Sequence, residues 1–349
     1  MKTMNNIVKL PPFKVKNIVS TLSQVHGWGI KQLNVPTTWS ITKGEGIIVM
    51  VIDTGYCNHS DLEEAIIVDK CKSFVENEKD ITDYSGHSCH CMGIVGARDN
   101  DIGMVGVAPE CKIISVKVLG ADGTGDLDGI IKALKYAIKI KPHVINMSLG
   151  TSEDNPQIHK LIKKLYDLNI PIIAAAGNDG RKNSVNYPAA YPETICVTAY
   201  DKNGKPAKFN STGKETEFSA PGVDIYSTWL NNKYGVLSGT SMSAPFMTGL
   251  VALLLSKHMK QEVSTGKNDC KTIPQIREHL KKYSDSKGII GHDENWGYGV
   301  VDPVKLIYGN EEISDEIEEE SKLSTVVPET NFNIFKKIIS WFRGIFLFP

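Results

Sequence analysis

No apolar run in the chain approaches the roughly 20 residues that a membrane-spanning helix requires. The N-terminus also lacks the apolar stretch of about 7–15 residues that a secretory leader needs. There Lys9 interrupts after Ile7-Val8, and Pro11-Pro12 follow at once. Charge of either sign is not in excess: Lys+Arg number 39 against Asp+Glu 40, for a formal net charge of −1. That balance removes the simplest case for a nucleic-acid partner, which needs a basic surplus to displace counterions from phosphate. Seven cysteines is an odd count, so a fully paired disulfide framework is excluded. The missing leader and the odd count together predict a reducing, cytoplasmic setting, with each cysteine a small buried hydrophobe rather than half of a bridge.

What is present is ordinary globular material. The 349 residues are 41% hydrophobic and 23% charged, enough for one large domain with additions or for two smaller ones. Gly46–Ile52 is a continuous apolar run that ends at Asp53-Thr54-Gly55, as a buried parallel strand would with a polar group at its carboxyl end. Similar runs lie at Lys112–Val118, Val144–Met147, Ile170–Ala175 and Thr194–Ala199. Segments of helical period alternate with them at Leu127–Ile140 and Gln157–Leu168, and Ala244–Leu255 reads as a central buried helix. This alternation predicts an α/β domain with a mostly parallel sheet flanked by helices.

Open sheets of this kind carry reactive groups at the carboxyl ends of their strands. Three places qualify: Asp53 in Val51–Gly55, His87 in Gly86–Gly93, and Ser241 in the Gly-led turn Gly239–Pro245. A serine hydroxyl becomes a useful nucleophile when an imidazole takes its proton. The imidazole needs a carboxylate to hold its tautomer and to stabilise the cation. A serine at a helix start also offers backbone N–H donors to the attacked carbonyl.

In the chain order Asp…His…Ser, these motifs resemble those of the subtilisin-type serine proteases. The similarity runs from about Gln24 to Lys305. It implies a three-layer domain and a peptidase acting on polypeptides, with Ser241 as nucleophile, His87 as general base and Asp53 as orienting acid. One departure stands beside His87, where Ser88 and Cys89 replace the family's usual Gly and Thr. Ala174–Asn178 resembles the oxyanion motif, which assigns Asn178. Gly123-Thr124-Gly125 and Ser148-Leu149-Gly150 resemble the segments that sandwich an extended substrate. The primary pocket would be walled by Ser148–Gly150 and by Ala175-Ala176-Gly177, with Asn186 as its floor.

The resemblance further implies Ca2+, a hard cation that prefers six or more oxygens. A strong site would take side-chain oxygens of Gln24, Asp61 and Asn100 and the backbone carbonyls of Arg98, Ile102 and Met104. A weaker one would use carbonyls of Ala189, Tyr191 and Thr194 near Asp201. The layout is closest to the intracellular subtilisins. Their N-terminal extension lies across the cleft, and Lys9–Phe13 resembles its blocking element, which implies a zymogen.

These readings divide the chain into an N-terminal extension (1–23), a peptidase domain (24–308), an acidic linker (309–330) and a C-terminal helix (331–349). The block Glu311–Glu320 holds seven acids and no base, so the body without it carries about +6. In the tail, Ile334, Phe335, Ile338, Ile339, Phe342, Ile345 and Phe346 share a helical face, with Lys336, Lys337 and Arg343 mostly off it. Such a helix is expected to dock on its own domain or on a second copy in a homodimer; the alternatives are a membrane surface or another protein.

Overall fold

The computed structural model describes residues 7–20, 23–76 and 78–309. The acidic block and the amphipathic tail lie outside the described residues. Among the described residues no helix is long and apolar enough to cross a membrane.

The centre is a nine-stranded sheet in the order Ser284–Asp285, Val300–Val301, Phe218–Pro221, Ile195–Tyr200, Ile172–Ala175, Val144–Met147, Ile48–Asp53, Lys112–Lys117, Lys72–Ser73. Every neighbouring pair is parallel except the first, which is antiparallel. The expected strands are present, with ends that differ by one or two residues. Their continuous apolar character follows from burial on both faces. Along Ile48–Asp53 the side chains alternate: Val49 and Val51 join the cluster containing Met92, Leu250 and Leu254, while Met50 and Ile52 join the one containing Ile130, Leu134 and Ile162. Two cores on opposite faces of one sheet make the three-layer architecture that the sequence predicts.

Helices Leu127–Ile140 and Pro156–Asp167 cover one face. Helices His87–Gly96 and Thr240–Thr265 cover the other. The last is longer than the apolar segment Ala244–Leu255 suggests, because the polar residues after it continue the same 26-residue helix. Helix His87–Gly96 approaches the side strand Ile225–Trp229 so closely that a Cβ on Gly93 would sit 2.3 Å from Thr228 Oγ1. Only glycine fits there.

The cysteine expectation needs correcting. Cys57 and Cys89 form a disulfide, with sulfurs 2.07 Å apart. An odd total excludes complete pairing but leaves one bridge open, and no local pattern in the sequence marks these two as neighbours. Cys71, Cys91, Cys111, Cys196 and Cys270 are free and buried, as expected.

Candidate active site

Asp53 ends a central strand, His87 begins one helix and Ser241 lies in the first turn of another. All three are fully buried. Asp53 Oδ1 lies 2.8 Å from His87 Nδ1 and also accepts from the Thr54 N–H at 2.7 Å. Burial, the largest single influence, works against a charged imidazole, but the Asp53 carboxylate and the neighbouring Cys91 together outweigh it, so the His87 pKa stands well above its usual value. Burial pushes the neighbouring Cys91 thiol up, which keeps it neutral at 3.8 Å from His87 Nδ1.

The helix that carries Ser241 contains Pro245. A proline lacks the N–H that would bond the carbonyl four residues earlier, here that of Ser241. Ser148 Oγ–H at 3.0 Å and Cys91 Sγ–H at 3.4 Å donate to it instead. The nucleophile's backbone is thereby tied to the strand exit at Ser148 and to the helix of the base. Asn178 accepts at Oδ1 from Thr240 N–H (3.0 Å) and Oγ1–H (2.9 Å), which aims its Nδ2 outward.

That nitrogen already holds a carbonyl: Asn178 Nδ2 donates to Pro12 O at 2.7 Å. The N-terminal segment lies in the cleft as an added strand. Ile7–Lys9 pairs antiparallel with Thr124–Asp126, placing Val8 opposite Gly125. Lys9 exchanges both backbone bonds with Gly150 (3.2 and 3.0 Å), and Leu10 N–H donates to Gly123 O at 2.9 Å. Lys14–Val19 then pairs with Lys233–Ser238 on the far side. Between these runs the Phe13 ring lies 5.0 Å from the His87 ring, centroid to centroid. Ser241 Oγ–H donates to Ser148 O at 3.3 Å, while the buried His87 Nε2 has no hydrogen-bond partner.

The expected pocket residues come together. Asn186 N–H donates to Ala176 O, and its side chain packs beneath both walls. A Cβ on Gly177, which has φ +112°, would stand 2.1 Å from Asn186 Nδ2, and one on Gly150 3.1 Å from the Asn186 Cβ. Leu149 is buried with Val8 in the cluster on the sheet face covered by Leu127–Ile140.

Of the first expected cation site, Gln24, Asp61, Asn100, Ile102 and Met104 share one loop system. Asp61 is fully buried, and burial raises its pKa. Its oxygens accept from Asn100 Nδ2 (3.1 Å), Met104 N–H (2.9 Å) and Tyr234 O–H (2.9 Å). Gln24 Oε1 accepts from the N–H groups of Asn100 and Asp101, and Asn100 Oδ1 from Ile102 N–H. The Arg98 guanidinium turns away to the carbonyls of Pro109 and Cys111. The donor set is rich in oxygen around a buried carboxylate whose hydrogen-bond partners are neutral. It would suit a hard cation only after the Asn100 amide turns over and Gln24 Oε1 gives up the N–H groups of Asn100 and Asp101.

The second expected site does not fit. Thr194 O accepts from the Arg277 guanidinium at 2.7 Å, and Tyr191 O from the Thr194 N–H and hydroxyl. Asp201 Oδ1 accepts from Asn203 and Lys205 N–H within its own turn. Ala189 is buried behind them without changing this. Arg277, also paired with Glu217 at 2.8 Å, supplies the positive charge there, and nothing local in the sequence links it to Thr194.

Three contributors escaped the sequence reading. Lys117 is fully buried at a strand end and donates from Nζ to the carbonyls of Thr54 (2.9 Å) and Thr82 (3.1 Å), bracing the turn after Asp53. Its signal was a lysine closing an apolar strand. Asp83 accepts from Gly86 and Cys89 N–H and so holds the start of the His87 helix. The Thr54 hydroxyl accepts from Ser88 N–H, joining the acid's loop to the base's helix.

The Subtilase family model (Peptidase_S8) matches residues 44–299. Among similar proteins is the Major intracellular serine protease of Bacillus subtilis, 37% identical over 264 residues, or 72% of this chain and 82% of that protein. Thermostable alkaline protease of Halalkalibacterium halodurans is 38% identical over 74% of this chain and 71% of its own. Minor extracellular protease Epr of Bacillus subtilis is 37% identical over 78% of this chain, a match that covers only 40% of Epr. A family match over most of the chain, with an aspartate, a histidine and a serine converging where its members do their chemistry, leaves one assignment: the chain belongs to the subtilase family of serine proteases.

Proposed function

We propose that this serine endopeptidase works through Ser241, His87, Asp53 and Asn178, and that residues 1–23 hold it in a blocked, zymogen-like state. The observation that carries this reading is the Asn178 Nδ2 bond to the Pro12 carbonyl. The side chain assigned to the oxyanion already grips a peptide oxygen.

With the cleft free for a polypeptide, His87 Nε2 takes the Ser241 hydroxyl proton as Oγ attacks the scissile carbonyl carbon. The carbonyl electron pair moves to oxygen, held by Asn178 Nδ2 and the Ser241 N–H. Collapse breaks the C–N bond, His87 gives its proton to the leaving amine, and water repeats the cycle on the acyl-enzyme.

Register explains why the resident segment is a poor substrate. Val8, Lys9 and Leu10 continue the ladder with Gly125, Gly150 and Gly123. The next N–H would come from Pro11, which has none. The Ser148 carbonyl takes the Ser241 hydroxyl instead, which turns the nucleophile away from its base. The test is covalent labelling by a fluorophosphonate. Rapid labelling without residues 1–20, slow labelling of the full chain and none for Ser241→Ala is expected. Equal rates for the first two defeat the block, and labelled Ser241→Ala defeats the nucleophile.

Calcium belongs to the Gln24–Asp61–Asn100 loop in this reading, with carbonyls of Arg98, Ile102 and Met104 completing it. It would neutralise the buried Asp61 carboxylate and stiffen the loop 98–104. A chelator should lower the melting temperature; an unchanged melt removes the assignment. Asn186 as a polar floor should disfavour the largest side chains at the cut, which a peptide library preferring Phe, Tyr or Trp would contradict. A cytoplasmic setting rests on likeness to the Major intracellular serine protease. The Cys57–Cys89 bridge argues the other way, and trapping thiols in intact cells decides between them. For the tail, liposome flotation of the full chain against one ending near Tyr308 separates a membrane contact from docking on protein.

A further inference from the structure

The far end of the nucleophile's helix carries a cluster that the peptidase reaction does not use. His258 lies in the last turns of Thr240–Thr265, Cys270 in the following connection, and His279 in helix Ile273–Lys282. One ligand atom from each lies within 4.8 Å of the other two. At about 1.5 Å per residue the cluster is about 25 Å along the helix from Ser241, too far to touch the reacting atoms.

His258 is 3% exposed, and both of its ring nitrogens are buried without a hydrogen-bond partner. An imidazole is amphoteric, one nitrogen a donor and the other an acceptor, and leaving both unmet inside a protein is costly. Cys270, also 3% exposed, has its backbone N–H tied to Asn268 Oδ1 at 2.8 Å, which anchors the loop that carries the thiol. The His279 ring lies 5.0 Å from that of His258, with the Asp269 backbone near it. Charges of both signs stand nearby, Lys257 and Asp269 beside all three and Lys282 beside His279. Half-buried His279 leaves a way in from solvent.

We propose that His258, Cys270 and His279 form a structural site for a borderline-soft divalent cation of the zinc class, with water as fourth ligand. Two imidazoles and a thiolate match zinc's preference and disfavour calcium or magnesium, which take oxygen. Bond lengths of about 2.0–2.3 Å need the widest ligand separation to close by about 1 Å. The side chains of a helix end and a connecting loop can supply that. Binding releases the Cys270 thiol proton to solvent and forms Zn–S and two Zn–N bonds, with no change of oxidation state. The ion would clamp the end of the long helix to the next one.

The experiment uses the full chain carrying Ser241→Ala to prevent self-digestion, loaded with zinc chloride, desalted and analysed for metal. About one zinc per chain is expected, together with a raised melting temperature. Cobalt in its place should give the near-ultraviolet thiolate charge-transfer band and the strong visible bands of a tetrahedral site. Cys270→Ser should abolish the charge-transfer band and cut retention at least tenfold. His279→Gln, at a half-buried position, should weaken binding even where the serine variant folds poorly. A chain that retains no zinc overturns the proposal. So does retention that survives both substitutions, or that disappears with Cys91→Ser beside His87, the other cluster of suitable ligands among the described residues.

Discussion

Replacing Val8 and Leu10 together by alanine should switch on the full-length enzyme without a cut. Val8 is 2% exposed and Leu10 8%, so both side chains are inserted in the domain, whereas Ile7 at the start of the same strand is 59% exposed. Val→Ala removes two carbons and Leu→Ala three. At ~0.8 kcal/mol per buried methylene the pair weakens the docked state by about 4 kcal/mol. Each 1.4 kcal/mol is a tenfold change, so the open fraction should rise by about two to three orders of magnitude. The gain stops where the rate reaches that of the chain lacking residues 1–20, because an open fraction cannot exceed one. The assay is the pseudo-first-order rate of fluorophosphonate labelling, read on the full chain, the truncated chain, the double variant and Ile7→Ala. Ile7→Ala should stay within a few-fold of the parent. A double variant as slow as the parent refutes the reasoning, and so does Ile7→Ala releasing the enzyme equally, since either breaks the link between burial and blocking.

Pro11→Ala returns an N–H opposite the Ser148 carbonyl, so the hydroxyl of Ser241 should be freed and the segment cut by its own enzyme. Mass spectrometry of the purified protein should find a new N-terminus near Pro12, absent when Ser241→Ala is added. Because Asp53 raises the His87 pKa and a general base must be neutral, kcat/KM of the truncated enzyme should fall on acidification through a pKa above the ordinary imidazole value. Asp53→Asn should move that limb downward as well as lowering the rate; a limb that stays put would show that another group controls it. Reducing Cys57–Cys89, which spans a sequence separation of 32, should cost about 3–4 kcal/mol by loop-closure entropy, read as a lower denaturant midpoint. The same midpoint for a chain carrying Cys57→Ser and Cys89→Ser would contradict a stabilising bridge.

Much of the architecture was legible because it depends on local pattern. Short apolar runs such as Gly46–Ile52, closed by a Gly-containing turn, read as strands buried on both faces, and Leu127–Ile140 carries its apolar residues at helical spacing. The reactive residues were legible for a related reason. Asp53, His87 and Ser241 sit where a strand ends or a helix begins, and those ends are set by nearby residues. Asn178 and the flanking glycines came instead from the likeness of their motifs to those of the subtilisin-type proteases.

What resisted reading depends on residues distant in sequence meeting in space. Cys57 reaches Cys89 only because the loop after the Asp53 strand folds against the helix that starts at His87. Arg277 occupies the carbonyl of Thr194 across a gap of 83 positions, so a loop that reads as a cation site holds a guanidinium. The sequence by itself determined the chemistry: a serine nucleophile with its base, acid and amide donor on an α/β sheet. The likeness of Lys9–Phe13 already implied a covered cleft, but the tertiary structure alone decided the register in which that segment lies. It places the Pro12 carbonyl on Asn178 and the Ser241 hydroxyl on Ser148, because the hydrogen-bond register between two chain segments is a long-range choice that no local pattern encodes.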